Sequence, residues 1–455
     1  MPAVEQHVRP GRDRSRPKVM FVCQNHAEIR PGGAEGYALD LYEAIRDAGE
    51  FEAVFLARTG APNKMRAELM PRSHPGTPVS SVTDDPNQYM LYTNMAAFDY
   101  LFQRSADKET ITRDYADFLR AHKPDLVHFQ HTFLLGYDYV RVTKNVLPDA
   151  PIVYTLHEFL PICHRDGQMI RTMRNELCDG ASPRRCHECF PEISPQTFFF
   201  RERFIKSQLD LVDLFIAPNA YLRDRYVDWG LPADKVVVEP CALQPVERPY
   251  EEPREKRNRF AFFGQFTPYK GADVLLKAMA RLGEAFDGHL WINGAGLENQ
   301  HPDFQKLIRG LVEETQKTVT FAGPYDHETE LDRVMMGTDW VVVPSIWWET
   351  GPLTVWEAFQ YGRPVICSDI GGMSDKVTDG VDGLHFRTGD AEDLARVMSE
   401  AAETPGLWDK LSNGITAVPE IPGHAEVVSG IYRELLDRGA AGLGDGARRR
   451  GAVKA

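Results

Sequence analysis

Short apolar runs alternate with amphipathic, helix-period segments along most of the chain, starting near Lys18. An apolar run of this length, followed by a helical period, is typical of a buried parallel strand joined to the next strand by a helix. The strands predicted in the first half are 19–22, 53–56, 126–129, 152–156, 214–217 and 235–238. The alternation predicts an α/β fold with a doubly wound parallel sheet.

A polar, proline-containing stretch at 244–253 interrupts the alternation and predicts a linker. The alternation then restarts, and its predicted strands are 259–263, 289–293, 319–321, 340–343 and 364–367. We therefore expect two Rossmann-like domains, 18–243 and 254–423, that face a central cleft.

The two ends of the chain have other patterns. Residues 424–437 follow a Pro-Gly pair with a helical period and predict a final amphipathic helix. Residues 1–17 are polar and Arg-rich, and residues 439–455 are rich in Gly and Arg. We predict that both of these segments are disordered tails.

Composition and charge narrow the class of protein. The 455 residues are 43% hydrophobic, which suits a globular core, and the formal net charge is −14. A chain this acidic has no general affinity for nucleic acid, although local cations and backbone N–H groups can still bind an anionic small molecule. No apolar run is long enough to span a membrane, and the N-terminal stretch lacks the apolar core of a secretory signal. We expect a cytoplasmic location, where the seven cysteines stay reduced.

Seven residues separate Glu349 from Glu357, and this pair is the most informative local pattern. Glu349 follows the predicted strand 340–343, and Glu357 lies about one turn into the next predicted helix, with Gly351 and Pro352 at the turn. Ligands of parallel α/β sheets bind at the carboxyl ends of strands, where helix N-termini offer free N–H groups to anions. Because carboxylates accept hydrogen bonds from hydroxyls, the pair predicts a site for a sugar carried on a phosphate.

Other candidate binding residues also follow predicted strands. Gly33 opens the first helix, Gly264 leads to Lys270 before a helix, and Gly294 follows the strand 289–293. Glycines allow a ligand to approach the backbone, and a lysine can neutralise a phosphate. Ordinary turn glycines and a solvent-facing lysine are the alternatives.

His157 directly follows the predicted strand 152–156, at a carboxyl end that faces the expected cleft. A single histidine is more often structural than functional. Its position at a strand end nevertheless makes it a candidate site residue.

Four cysteines fall within one polar segment: Cys163, Cys178, Cys186 and Cys189. In a reducing compartment, four thiols in a segment without its own apolar core favour a structural tetrahedral metal, which we predict to be Zn²⁺. His164 and His187 are substitute ligands. A redox pair at Cys186 and Cys189, or chance, are the alternatives.

Aromatic and basic residues are mixed between Phe198 and Lys206. This composition is compatible with weak contact to a membrane surface. A helix packed on the sheet is the favoured alternative.

Taken together, these motifs resemble glycosyltransferase family 4. The resemblance is carried by the Glu349/Glu357 pair, Gly264 with Lys270-Gly271, Gly32-Gly33 and the turn at Gly371-Gly372. The resemblance extends over about residues 18–437 and is strongest at 262–384. The member of the family that the chain resembles is actinobacterial-like, with a four-cysteine loop.

The resemblance implies a retaining, hexosyltransferase-type enzyme with the GT-B fold, whose final helix crosses back to the first domain. Such an enzyme moves a sugar from a nucleotide-diphosphate sugar to a hydroxyl acceptor, which is a glycan, a lipid-linked molecule or a small molecule. It needs no cofactor for catalysis. A lipid-linked acceptor would place it peripherally at the inner membrane face. Its first domain binds the acceptor and its second the donor.

The resemblance also implies roles for individual residues. Glu349 and His157 would contact the donor sugar, Lys270 would neutralise the diphosphate, and Glu357 would bind the ribose. The remaining donor contacts would come from Gly33, Gly264, Gln265, Gly294, Thr350, Gly351, Pro352 and Leu353.

Gln265 departs from the family pattern, because many members have an arginine there that shares the phosphate charge with the lysine. A catalytically silent sugar-nucleotide binder, acting as a scaffold or partner, is therefore the alternative function. A GT-B epimerase or phosphorylase is a weaker third option.

Overall fold

The computed structural model describes residues 16–29, 32–59, 79–81, 85–93, 98–107, 109–173, 176–248 and 254–451. The strands before the predicted linker are β1 Lys18–Cys23, β2 Glu52–Thr59, β3 Val79–Ser81, β4 Gln88–Tyr92, β5 Phe98–Asp99, β6 Arg104–Ser105, β7 Leu126–Phe129, β8 Ile152–Thr155, β9 Leu214–Ala217 and β10 Val236–Val238. The helices are α1 Gly33–Ala48, α2 Ala116–His122, α3 Asp138–Val146, α4 Pro183–Cys189, α5 Pro195–Leu209 and α6 Ala220–Trp229, with a π-helical turn at Thr110–Tyr115.

Eight of these strands form one sheet, in the order β10-β9-β8-β7-β1-β2-β4-β3, while β5 and β6 pair separately. Within the eight-stranded sheet, all neighbouring strands are parallel except β3 and β4. Every residue of β1 is buried, because apolar clusters cover both faces of the sheet. Burial on both faces explains why the central strands are continuous apolar runs rather than alternating ones.

The second half has the strands β11 Arg259–Phe263, β12 His289–Asn293, β13 Val319–Gly323, β14 Trp340–Val343, β15 Val365–Ser368 and β16 Gly383–Phe386. Its helices are α7 Ala272–Leu282, α8 Pro302–Glu314, α9 His327–Met336, α10 Leu353–Gln360, α11 Gly371–Lys376, α12 Ala391–Glu403, α13 Leu407–Gly414 and α14 Ile421–Gly451. The all-parallel sheet has the order β13-β12-β11-β14-β15-β16.

The strand order of the second sheet reverses between β11 and β14, and that of the first sheet reverses between β1 and β7. Such reversal points are where open parallel sheets bind ligands. The predicted α/β class with two Rossmann-like, doubly wound sheets is confirmed, and the arrangement is the GT-B fold. The domain limits 18–243 and 254–423 stay predictions, although each range contains one sheet.

The final helix packs back on the first sheet. Ile421, Ala425, Val428, Tyr432 and Leu435 of α14 belong to the same buried cluster as β1 and α1. The Tyr432 hydroxyl also lies 2.6 Å from Nδ1 of the buried His128 in β7. Helix α14, which follows the second sheet in the chain, therefore packs against the first sheet.

Helix α14 extends to Gly451, beyond residue 439 where the predicted C-terminal tail begins, and the tail itself stays a prediction. Residues 452–455 and 1–15 lie outside the described residues. Of the predicted linker, 244–248 has no helix or strand, and 249–253 is not described.

The aromatic segment 198–206 lies in α5, where Phe198 and Ile205 are buried while Phe199 and Phe200 are exposed. Membrane contact there stays a prediction. Within the described part of the chain, no helix is both long and apolar enough to cross a bilayer.

Candidate active site

Glu349 lies in the β14–α10 loop (344–352), at the reversal point of the second sheet. Its Oε1 accepts hydrogen bonds from Lys270 Nζ at 2.6 Å, Ser345 Oγ at 2.7 Å and Trp347 Nε1 at 2.8 Å. Burial by itself would raise the pKa of Glu349, but the charge of Lys270 and these hydrogen bonds hold it below the usual value. An ionised carboxylate therefore stands at the strand end, with its hydrogen bonds gathered on one oxygen.

Lys270 reaches Glu349 because the loop after β11 packs tightly against the end of β14. Gly271 has a φ of +69°, and a Cβ there would stand 1.8 Å from the Pro344 carbonyl oxygen. Only glycine fits this position without a shift of the backbone. The Lys270-Gly271 dipeptide thus brings together the predicted cation and the predicted carboxylate.

The N-termini of α1 and α10 meet across the cleft. A Cβ on Gly33 would lie 3.4 Å from Leu353 Cδ1. Neither Gly32 nor Pro352, which cap the two helices, makes a side-chain capping hydrogen bond. Two helix N-termini that face one space favour an anion there.

Gly264 and Gly294 lie side by side at the ends of β11 and β12. A Cβ on Gly294 would stand 2.1 Å from the Gly264 carbonyl oxygen, so the close approach of the two loops requires glycine. Gln265 follows on the exposed edge of this turn. Gly264, Gln265 and Gly294, all predicted to contact the donor, therefore lie at one edge of the second sheet.

His157 follows β8 and is held from both halves of the molecule. Its Nε2 lies 3.0 Å from Gln130 Oε1, and its carbonyl oxygen accepts a hydrogen bond from Thr350 Oγ1 at 2.8 Å. Burial lowers the pKa of His157 well below its ordinary value, and the neighbouring His131 and His128 add smaller effects in the same direction. The imidazole is therefore neutral, and Nε2 donates to the amide oxygen.

Glu357 is buried in α10, where its Oε1 lies 3.0 Å from His327 Nε2. The two carboxylates of the sequence motif therefore have different partners, Lys270 for Glu349 and His327 for Glu357.

Two family models together span this architecture. "Glycosyltransferase Family 4" matches residues 31–245, and "Glycosyl transferases group 1" matches residues 244–416. The chain belongs to glycosyltransferase family 4. The predicted membership and the predicted class of enzyme are both confirmed.

Curated relatives of this glycosyltransferase are distant but extend over most of its length. The glycogen synthase of Mycobacterium tuberculosis is 22% identical over 399 residues, which cover 85% of this chain and 86% of the relative. The D-inositol 3-phosphate glycosyltransferase of Kribbella flavida is 25% identical over 429 residues, covering 90% and 92%.

Solved structures share the fold of the glycosyltransferase. Sucrose-phosphate synthase from Thermosynechococcus elongatus has a TM-score of 0.65 at 19% identity, covering 92% of this chain and 100% of its own. The Anabaena protein HepE, in complex with UDP and glucose, has a TM-score of 0.62 at 16% identity with the same coverage. At these identities the likeness shows the fold alone.

The four predicted metal ligands of the glycosyltransferase, Cys163, Cys178, Cys186 and Cys189, line one cavity of about 30 Å³. In the region that the structure describes, no three His, Cys, Asp or Glu side chains are already arranged to hold a metal ion. The substitute ligand His187 instead pairs with the Ile193 carbonyl at 2.8 Å. The structure brings the thiols to one cavity without placing them in a coordination shell.

The cysteine-containing segment, 163–189, also contacts the second half of the glycosyltransferase. Trp348 Nε1 donates to the Cys178 carbonyl at 3.0 Å, and Arg165 Nη2 donates to Tyr269 Oη at 2.9 Å. Trp348 precedes Glu349 and Tyr269 precedes Lys270. The cysteine-containing segment therefore contacts the residues that directly precede both members of the Lys270–Glu349 ion pair.

Sequence reasoning missed three residues that shape the site. Asn219 follows β9 and donates to the Thr350 carbonyl from the opposite half, and its position at a strand end was a usable signal. Trp347 bonds Glu349, and Lys376 donates to the Pro352 carbonyl at 3.0 Å. Nothing in the local pattern around Lys376 indicates that it approaches the β14–α10 loop.

Proposed function

We propose that the enzyme transfers a hexosyl group from a nucleotide-diphosphate sugar to a hydroxyl acceptor, with retention of configuration. The observation that carries the proposal is the Lys270–Glu349 ion pair beside the facing N-termini of α1 and α10. A donor of this kind combines an anionic diphosphate with a hydroxyl-rich sugar. The site offers a cation and N–H groups to the first part and a carboxylate to the second.

The leaving group is stabilised by Lys270 and by the N–H groups at the start of α10. As the sugar–phosphate bond breaks, negative charge grows on the diphosphate and positive charge grows on the sugar. Preorganised donors aimed at developing charge are an effective source of rate enhancement. No divalent metal is needed in this scheme, since protein groups neutralise the diphosphate.

Glu349 binds the donor sugar in this scheme. Among the residues that the structure describes, the hydrogen bonds to Glu349 all go to Oε1, so Oε2 is the oxygen available to a sugar hydroxyl near the reacting carbon. His157 lies on the opposite wall, bound through its own carbonyl to Thr350 beside Glu349. Glu357, one helix turn away in α10, receives the ribose hydroxyls of the nucleotide.

A thermal-shift panel of UDP-, GDP-, ADP- and TDP-sugars tests the proposal. One donor should raise the melting temperature through binding to the folded state, and the same donor should slowly release nucleoside diphosphate without acceptor. Stabilisation without any release, with or without candidate acceptors, would favour the silent binder that Gln265 suggests. The absence of a shift with every donor would contradict nucleotide-sugar binding altogether.

We also propose that the four cysteines hold a structural Zn²⁺ after modest side-chain rotation. Support comes from their convergence on one small cavity. Burial raises the pKa of Cys163 and, to about 11, that of Cys186. Thiols protonated in this way become ligands only when a metal displaces the protons.

Elemental analysis of the purified enzyme should find about one equivalent of zinc. Replacing Cys186 and Cys189 together with alanine should remove it, whereas Cys23→Ala, in the buried strand β1, should leave it in place. Zinc well below one equivalent in the unmodified enzyme would contradict the metal. Reversible oxidation of two thiols would then favour the redox pair.

A further inference from the structure

Lys376 is a buried lysine beneath the β14–α10 loop. It is the last residue of α11 and is 9% exposed. Its Nζ donates to the Pro352 carbonyl at 3.0 Å and stands 4.5 Å from the ring centre of Trp356. The side chain therefore contacts the residue that caps α10.

Close docking of α11 fixes this position. The N–H of Gly372 donates to the Glu349 carbonyl at 2.8 Å. A Cβ on Gly372 would stand 2.6 Å from the Glu349 carbonyl oxygen and 3.0 Å from the amide nitrogen of Gly351. Because α11 lies directly on the loop, the lysine at its end has little freedom to move away.

The charge of Lys376 is incompletely neutralised. A carbonyl and an indole ring stabilise an ammonium group less than a carboxylate does. Burial lowers the pKa of Lys376 to about 7. Cys241, Glu357 and Glu349 act in the opposite direction and raise this pKa, but by less than burial lowers it. Cys241 is itself a neutral thiol, since burial raises its pKa to about 12.

We propose that Lys376 is a positioning residue and the second cation of the donor site, and that it takes up a proton when a nucleoside diphosphate binds at the N-terminus of α10. This inference rests on the proposed function. By holding the Pro352 carbonyl, Lys376 keeps the N–H groups of the first α10 turn directed into the cleft. Its charge compensates for the neutral Gln265 at the opposite edge.

The direction of the proton transfer follows from electrostatics. A bound anion favours the charged lysine and so raises the pKa of Lys376 above its value in the nucleotide-free protein. At a pH above that value, a proton moves from solvent to Nζ on binding. Nucleotide affinity should therefore fall as the pH rises through and above 7.

Titration calorimetry in buffers of different ionisation enthalpy measures this proton directly. The ligand is whichever of UDP, GDP, ADP and TDP stabilises the enzyme most. At about pH 8 the terminal phosphate is already ionised, so the nucleotide contributes few protons of its own. The unmodified enzyme should take up about half a proton or more per nucleotide bound.

Three variants make the test specific. Lys376→Met should abolish the uptake and weaken nucleotide binding about tenfold, because it keeps the bulk and removes the charge. Lys376→Arg should restore affinity without proton uptake, since its guanidinium stays protonated. Lys277→Met is the matched control, a lysine on α7 paired with Asp273, and should behave like the unmodified enzyme.

The outcomes separate this inference from the proposed function. If the unmodified enzyme binds none of the nucleotides, the proposed function fails and the inference fails with it. If it binds, but Lys376→Met retains both its affinity and its proton uptake, the role of Lys376 alone is refuted. Thermal unfolding of each nucleotide-free variant identifies any loss of fold.

Discussion

Glu349→Gln is expected to reduce the rate of sugar transfer by about 10²–10³-fold, while the enzyme remains folded. The substitution keeps the size of the side chain and removes its charge. Lys270 then loses the carboxylate that it contacts at 2.6 Å, and the positive charge that develops on the sugar loses the proposed stabilisation by this carboxylate. Acceptor-dependent release of nucleoside diphosphate, measured at saturating donor, reports this loss as a change in kcat.

Glu330→Gln is the matched control for this prediction. Glu330 is a surface carboxylate of α9, paired with Arg333 one turn away, and exposed pairs of this kind contribute little. Its loss should leave kcat unchanged. A Glu349→Gln enzyme with near-normal turnover would remove Glu349 from the assigned catalytic residues.

Lys270→Met is expected to have a comparable effect through the leaving group. Without the Lys270 ammonium, the diphosphate keeps the helix N-termini but loses the cation that neutralises its growing charge. We expect kcat to fall by about 10²–10³-fold. The dissociation constant of the intact donor should change less, since the additional negative charge of the leaving diphosphate develops only as the bond breaks. Steady-state kinetics combined with donor titration separate the two quantities.

Lys277→Met again serves as the control lysine for this variant. If kcat stayed within about twofold of the unmodified value, Lys270 would be no more than a structural partner of Glu349. The double variant Lys270→Met/Glu349→Gln adds a further check. Because the two side chains form one ion pair, their combined loss should be clearly smaller than the product of the single losses.

The fold was largely predictable because its central strands are buried on both faces. Runs such as 340–343 and 214–217 are apolar throughout, and each proves to be a strand. The short strands β3, β5 and β6 were not predicted, since two or three residues carry no measurable period. The longer strands β4 and β16 were not predicted either. The C-terminal helix was predicted, but its end was not, because glycines near 439 suggested a tail.

The position of the candidate site in the fold was predictable from residues that lie between the end of a strand and the next helix. Glu349, Lys270 and Gly33 come from loops far apart in sequence, and each follows a strand at a point where the sheet order reverses. That position was visible as an apolar run followed by a polar turn. The direct pairing of Lys270 with Glu349 was not visible, because it depends on the space that Gly271 leaves beside Pro344.

The sequence alone determined the doubly wound class, the glutamate pair and the neutral side chain of Gln265 after Gly264. Each of these properties is a matter of residue type and spacing along the chain. Only the tertiary structure decided that the glutamates have separate partners, that the cysteine segment supports the central ion pair, and that Lys376 lies beneath the Pro352 carbonyl. The physical reason is that burial and close packing set how strongly a charged group interacts with its neighbours. Both depend on residues that are distant in sequence.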